Sequence, residues 1–273
     1  MKLSSREYKL TLHEDRFAGS EAACLPHVAA FWKDTAQRLA GISIEATRKL
    51  DHAEPEKQRD IVFLDTRDKA LYRQADLVFR MRRKVRSKEE WETTLKFRHG
   101  DRLLAAAQTF RSAKGEKEKF EEDVKVVPPA DTPRFWALFS RSSKGMTDGA
   151  GPSTVGDCLE LYENFGKMFL PSRSAGVLEV GKLRIREHVF EGGRLDLGEG
   201  VEAECALILW WKRERLENPI AAEFSFRFEL ENGEAEAGAA RKAWAAMVEL
   251  CSSPWVDPQG QTKTALVYGS AEV

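Results

Sequence analysis

Cysteine is scarce in this chain of 273 residues: Cys24, Cys158, Cys205 and Cys251 are the four, and no two fall at a CxxC spacing. That pattern points neither to a zinc site nor to a disulfide scaffold, and it suits a chain that keeps its thiols reduced. No apolar run reaches the roughly 18 residues of a membrane-spanning helix, and the N-terminus lacks the hydrophobic stretch of a signal peptide. The expectation is a cytoplasmic protein with no membrane partner. Charge of one sign is also missing, because 43 Lys and Arg against 44 Asp and Glu leave a net −1. No global field draws in a nucleic-acid polymer, so any polyanion site must be a local concentration of base. His13, His27, His52, His99 and His188 show no metal-ligand or triad spacing. The glycines at 198 and 200 lack the Lys-Ser/Thr of a phosphate-binding P-loop.

What the chain has in quantity is charge on alternate residues. Six segments, at about 3–12, 77–84, 91–98, 119–127, 177–190 and 220–230, read as strands with one apolar and one charged face. The clearest is residues 223–230. Phe224, Phe226, Phe228 and Leu230 share one face there, and Glu223, Ser225, Arg227 and Glu229 share the other. Around them the pattern predicts a helix over 20–40, with Ser20 as N-cap and Gly41 as stop. It also predicts helices over 132–143 and 234–250, a strand over 60–65, a short helical turn over 69–74 and a hairpin of 201–212 with 220–230. A further strand is read over 42–50, a polar loop over 52–59, and a Gly/Ser/Pro-rich loop over 144–156. Trp255 and Val267-Tyr268 are expected to tuck the tail back onto the body.

Strands followed by a helix occur twice, in half-sheets at about 1–143 and 157–250, with a tail at 251–273. Two small α+β domains side by side would satisfy this layout, as would one closed barrel; open sheets with solvated charged faces are the plainer alternative. Apolar faces turned outward need helices over them, and the charged faces then line an interior. The inverted alternation favours this single domain over 1–273. The basic set on the inner face is Lys9, Arg80, Arg82, Lys96, Lys119, Lys182, Arg184 and Arg186. Such a set suits several phosphate groups held at once. Packing so many cations together requires interleaved carboxylates, a bound polyanion, or both. The acidic set is Glu7, Glu121, Asp123, Glu204 and Glu223. Hard oxygen donors beside a phosphate site suit Mg²⁺ or Mn²⁺.

The order Ser5-x-Glu7-x-Lys9, Phe63-Leu64-Asp65-Thr66, Leu77-x-Phe79-Arg80-Met81-Arg82 and Thr94-Leu95-Lys96 resembles the CYTH family, the triphosphate tunnel metalloenzymes. Lys119-x-Glu121-x-Asp123, Lys182-x-Arg184 and the segment 220–233 extend the resemblance over roughly residues 3–250. It implies an α+β fold with a closed antiparallel tunnel of about eight strands and helices packed outside. It implies a linear triphosphate, whether inorganic triphosphate, thiamine triphosphate or a nucleotide, held by Lys9, Arg80, Arg82, Lys96, Lys119, Lys182, Arg184 and Arg186. It further implies Mg²⁺ or Mn²⁺ on Glu7, Glu121, Asp123 and Glu223, and hydrolysis served by Glu7, Glu121 and Lys9. Two functions stay open: a metal-dependent triphosphatase, or a non-catalytic polyphosphate- or nucleotide-binding module with a degenerate metal site. Ser5, Ser225 and Arg227 stand where the family pattern carries carboxylates, which shifts the interior towards positive charge. The partner is a small-molecule triphosphate or polyphosphate, and the chain is a monomer or homodimer.

Overall fold

Alternation at the strand period turns one face of each strand towards its helices and the other towards a shared interior, and nine strands close on themselves. The computed structural model describes residues 2–48, 51, 54–85, 87, 90–113, 118–127, 134–147, 149, 151–165 and 169–269. Parts of four readings therefore lie outside the described residues: 49–50 of the strand over 42–50, 52–53 of the polar loop, 132–133 of the helix over 132–143, and 148 and 150 of the loop over 144–156. The ring strands are β1 (Ser5–Leu12), β2 (Lys57–Asp65), β3 (Leu77–Lys84), β4 (Trp91–His99), β5 (Lys119–Val127), β6 (Arg134–Thr147), β7 (Ile185–Asp196), β8 (Glu202–Lys212) and β9 (Ala221–Glu229). They pair in the order β2-β3-β4-β6-β5-β1-β9-β8-β7, and β7 returns to β2 with Ile185 opposite Ile61 and Glu187 opposite Arg59. A ring of odd number cannot be antiparallel throughout. Its one parallel junction is β1 with β5, where Ser5 lies beside Glu121 and Lys9 beside Lys125.

The helices are α1 (Leu25–Gly41), α2 (Ala70–Ala75), α3 (Arg102–Ala107), α4 (Val155–Glu160), α5 (Ala237–Cys251) and α6 (Lys263–Gly269). In α1, Val28, Phe31, Trp32, Thr35 and Leu39 recur at three- and four-residue spacing, and all are buried. They join Ala243, Met247 and Leu250 of α5 against the outer faces of β1, β8 and β9. Phe224 meets Phe31 at 5.5 Å and Trp32 at 5.8 Å, and Tyr8 stacks on Phe226 at 5.0 Å. A second apolar cluster backs β3, β4 and β5 with Leu71 of α2, Ala105 of α3 and Leu159 of α4. Among the described residues no helix is long and apolar enough to cross a membrane.

Three expectations need correction. Residues 134–147 form strand β6, where the sequence pattern suggests a helix over 132–143. The stretch Phe135-Trp136-Ala137-Leu138-Phe139 has no clear period of its own, and its place between β4 and β5 decides the matter. This strand brings the ring to nine where about eight are expected. Helix α1 starts at Leu25 behind Cys24, with Pro26 in its first turn, so Ser20 is not its N-cap. The long strand expected over 177–190 is broken: Leu178–Glu179 pairs with β2, then Val180–Lys182 forms a 3₁₀ turn with Gly181 and Lys182 both at positive φ. β7 begins only at Ile185, and with it a new phase.

Candidate functional site

Inside the ring lies a cavity of about 1470 Å³. Glu7 and Lys9 of β1, Arg80 and Arg82 of β3, Lys96 and Arg98 of β4, Lys119 and Glu121 of β5, and Glu223, Ser225 and Arg227 of β9 all face it. They do so because each shares its strand's polar phase, while the alternate residues are committed to the two outer cores. Among the described lining residues, sixteen Lys and Arg stand against nine Glu, an excess of seven positive charges. The chain as a whole carries −1. The neutral overall charge therefore conceals a strongly cationic interior.

Of the expected phosphate-binding residues, Lys9, Arg80, Arg82, Lys96 and Lys119 come together on this wall, and Lys182, Arg184 and Arg186 do not. The turn at Gly181-Lys182 resets the phase. Glu187, Val189 and Glu191 of β7 face the cavity, and Arg186 faces outward to Asp60 at 2.9 Å and Glu21 at 3.2 Å. Arg184 is exposed and pairs with Glu179 at 2.7 Å, and Lys182 is exposed in the turn.

The carboxylates expected to bind a metal are all engaged by cations. Lys9 Nζ lies 2.9 Å from Glu7 and 3.1 Å from Asp123. Asp123, in phase with Glu121 and Lys125, is fully buried beneath these cations and also has Arg98 at 3.3 Å and Lys96 at 3.8 Å. Glu121 has Lys119 at 3.7 Å, Arg227 at 3.8 Å and Lys96 at 4.0 Å, and it accepts a 3.4 Å hydrogen bond from Ser5 Oγ. Glu223 is paired with Lys263 at 3.0 Å. Burial pushes each acid upward, but these cations outweigh it and hold Glu121, Asp123 and Glu223 below the ordinary carboxylate range. Arg227, standing where the resemblance implies a carboxylate, thus neutralises one. Among the described residues no three Asp, Glu, His or Cys side chains are grouped to share a metal ion. This donor set does not fit a resident Mg²⁺ or Mn²⁺, whose sites depend on a few well-placed free carboxylates.

The cations are in surplus even so. Burial pulls the Arg80 guanidinium down to about 9, with Arg82 beside it adding repulsion, and its Nε has no hydrogen-bond partner among the described residues. Burial brings the Lys96 ammonium to about 8 against the attraction of Asp123, with Arg98 and Lys9 repelling it. Lys125 is likewise lowered to about 8, by burial first and then by Arg98 and Lys9. It makes no ion pair with any described residue.

Several of these residues escape the sequence sets. Lys125 and Arg98 share the phase of residues already in them and needed only the alternation extended by one step. Lys144 pairs with Glu92 at 2.9 Å, but it lies in β6, where the sequence pattern reads a loop. Lys263 belongs to no periodic segment; Thr262-Lys263-Thr264 reads from sequence as a surface tail by default or as one reaching a tunnel mouth, and all three line the cavity.

No protein-family model matches the chain, and no curated protein sequence matches it. Among solved structures it is similar to one from Vibrio parahaemolyticus described as "a putative adenylate cyclase", with 9% identity over 97% of this chain and 98% of that one and a TM-score of 0.33. A likeness at this level assigns neither activity nor ligand.

Proposed function

We propose that the chain binds a linear triphosphate or short polyphosphate, free or as an organic ester, inside its strand ring, a use that the CYTH resemblance also implies. The observation that carries this reading is the cation surplus at Arg80, whose Nε has no hydrogen-bond partner among the described residues, at Lys125, which makes no ion pair with them, and at Lys96, which shares Asp123 and Glu121 with other cations. Three half-buried cations lose solvation and repel their neighbours, and an anion with several charged oxygens would relieve all three at once. The interior is then a tunnel-like anion site of the kind the resemblance suggests, with Arg supplying forked hydrogen bonds and Lys supplying mobile charge. From Glu223 to Arg227 the wall runs four residue steps, roughly 13 Å of strand, which accommodates a short phosphate chain.

Of the two functions open from sequence, the cation-held carboxylates favour the binding module. Glu7 and Glu223 would have to exchange Lys9 and Lys263 for a metal before serving as ligands, so no hydrolytic step is assigned to them. Thermal melting with inorganic triphosphate, run in EDTA and again with Mg²⁺ beside a phosphate-release assay, tests this. A rise in Tm in EDTA with no phosphate released under either condition is expected. Stabilisation or turnover that appears only with Mg²⁺ would overturn the metal-free reading.

The lowered lysines give a pH dependence of definite sign. A bound anion raises Lys96 and Lys125 from about 8, so binding takes up protons wherever the empty site has lost them. Affinity for triphosphate should therefore fall between pH 8 and pH 10 by about tenfold or more. Calorimetric titration at the two pH values checks it, and an affinity that stays flat or rises would contradict it.

A further inference from the structure

The ring has two ends, and they differ. At one end Ile61 and Phe63 of β2, Ile185 of β7 and Trp210 of β8 point inward and pack with Val267 and Tyr268 of α6 as a small apolar core. Tyr268 stacks on Tyr72 at 4.0 Å, and its carbonyl accepts a 2.6 Å hydrogen bond from Lys69 Nζ. The segment leading to α6 is tied down as well. Trp255 packs on Phe17 and Phe31 at 5.1 and 5.6 Å, and Asp257 N donates to Thr11 O at 2.9 Å. Gly260 passes so close to β1 that a Cβ there would meet Thr11 Cγ2 at 2.4 Å. From this strap Lys263 reaches in, pairing with Glu223 at 3.0 Å and lying over the Trp210 ring at 5.3 Å. The other end carries no such cover among the described residues. Lys57, Lys119, Lys144 and Glu204 rim it with side chains 41–54% exposed.

We infer that residues 257–268 make the cavity blind, so that it takes polyphosphates end-on: it accepts a chain with a free terminal phosphate and discriminates against one esterified at both ends. The inference rests on the polyphosphate reading above and adds a direction to it. A terminal phosphate carries more charge and no substituent, so it suits the deep group of Lys125, Lys96 and Lys263. An organic substituent belongs at the open rim. A chain substituted at both ends must press one substituent into the floor of Phe63, Trp210 and the strap, or withdraw its phosphates from the deep cations.

Calorimetric titration of the full chain with inorganic triphosphate, ATP and diadenosine tetraphosphate tests this. The last two carry matched charge and differ in whether one end is free. Binding of triphosphate and ATP with at least tenfold weaker binding of diadenosine tetraphosphate is expected. Equal affinity for ATP and diadenosine tetraphosphate would overturn the blind cavity while leaving the anion site standing. If neither triphosphate nor ATP binds, the polyphosphate reading falls and this inference falls with it. A chain shortened to end at residue 256 should, where it still melts cooperatively, bring the ratio below threefold; an unchanged ratio would overturn the strap's role. The full-chain comparison stands alone if the shortened chain does not fold.

Discussion

Replacing Asp123 by Asn is expected to destabilise the chain by about 3–5 kcal/mol, the cost of leaving buried charges without their partner. Asp123 is the fully buried hub to which Lys9, Arg98 and Lys96 all point. Asn keeps the shape and removes the charge, leaving those cations facing one another. Urea unfolding measures the loss, and a change below about 1 kcal/mol would show that the cations do not depend on Asp123. The same substitution makes the cavity more positive, so triphosphate should raise the variant's Tm by more than it raises that of the parent chain. The pH dependence has a fixed sign. Asp123 is held well below its ordinary 3.8, so its contribution is present at neutral pH and is lost as pH falls below about 4. In the Asn variant that acid limb should be shallower.

Lys125→Met should act in the opposite direction. Lys125 makes no ion pair among the described residues and is repelled by Arg98 and Lys9. Methionine keeps most of the stem and removes an ammonium that burial disfavours, so the empty chain should gain about 1–2 kcal/mol. Triphosphate affinity should fall by roughly ten- to a hundredfold, as expected for one charge-assisted contact of about 1.5–3 kcal/mol. Greater stability with weaker binding identifies a residue held for its ligand. A variant that lost stability and kept its affinity would make Lys125 a structural residue.

The sequence revealed those features that depend on strand phase within an unbroken segment. On β9 the phase of Phe224, Phe226 and Phe228 against Glu223, Ser225 and Arg227 settles which face meets α1 and which lines the cavity. β1, β3, β4 and β5 follow the same rule, and they supply Glu7, Lys9, Arg80, Lys96 and Glu121. Phase fails where the backbone resets it: two residues at positive φ, Gly181 and Lys182, turn the run from Lys182 to Arg186 away from the cavity. It also fails where tertiary pairing overrides local pattern, as in β6, which hid Lys144. Lys263 was legible only as part of a tail segment read either as surface or as reaching the tunnel mouth. Its position depends on Trp255 and Tyr268 anchoring the tail at both ends, a long-range packing result that no local spacing encodes.

On this reading the ring's interior holds a polyanion with the protein's own cations and no resident metal. Isothermal titration of inorganic triphosphate into the metal-free chain in EDTA measures this most directly. One-to-one binding is expected, weakening as salt rises and dropping sharply in Lys125→Met. No binding in EDTA at low salt would contradict it.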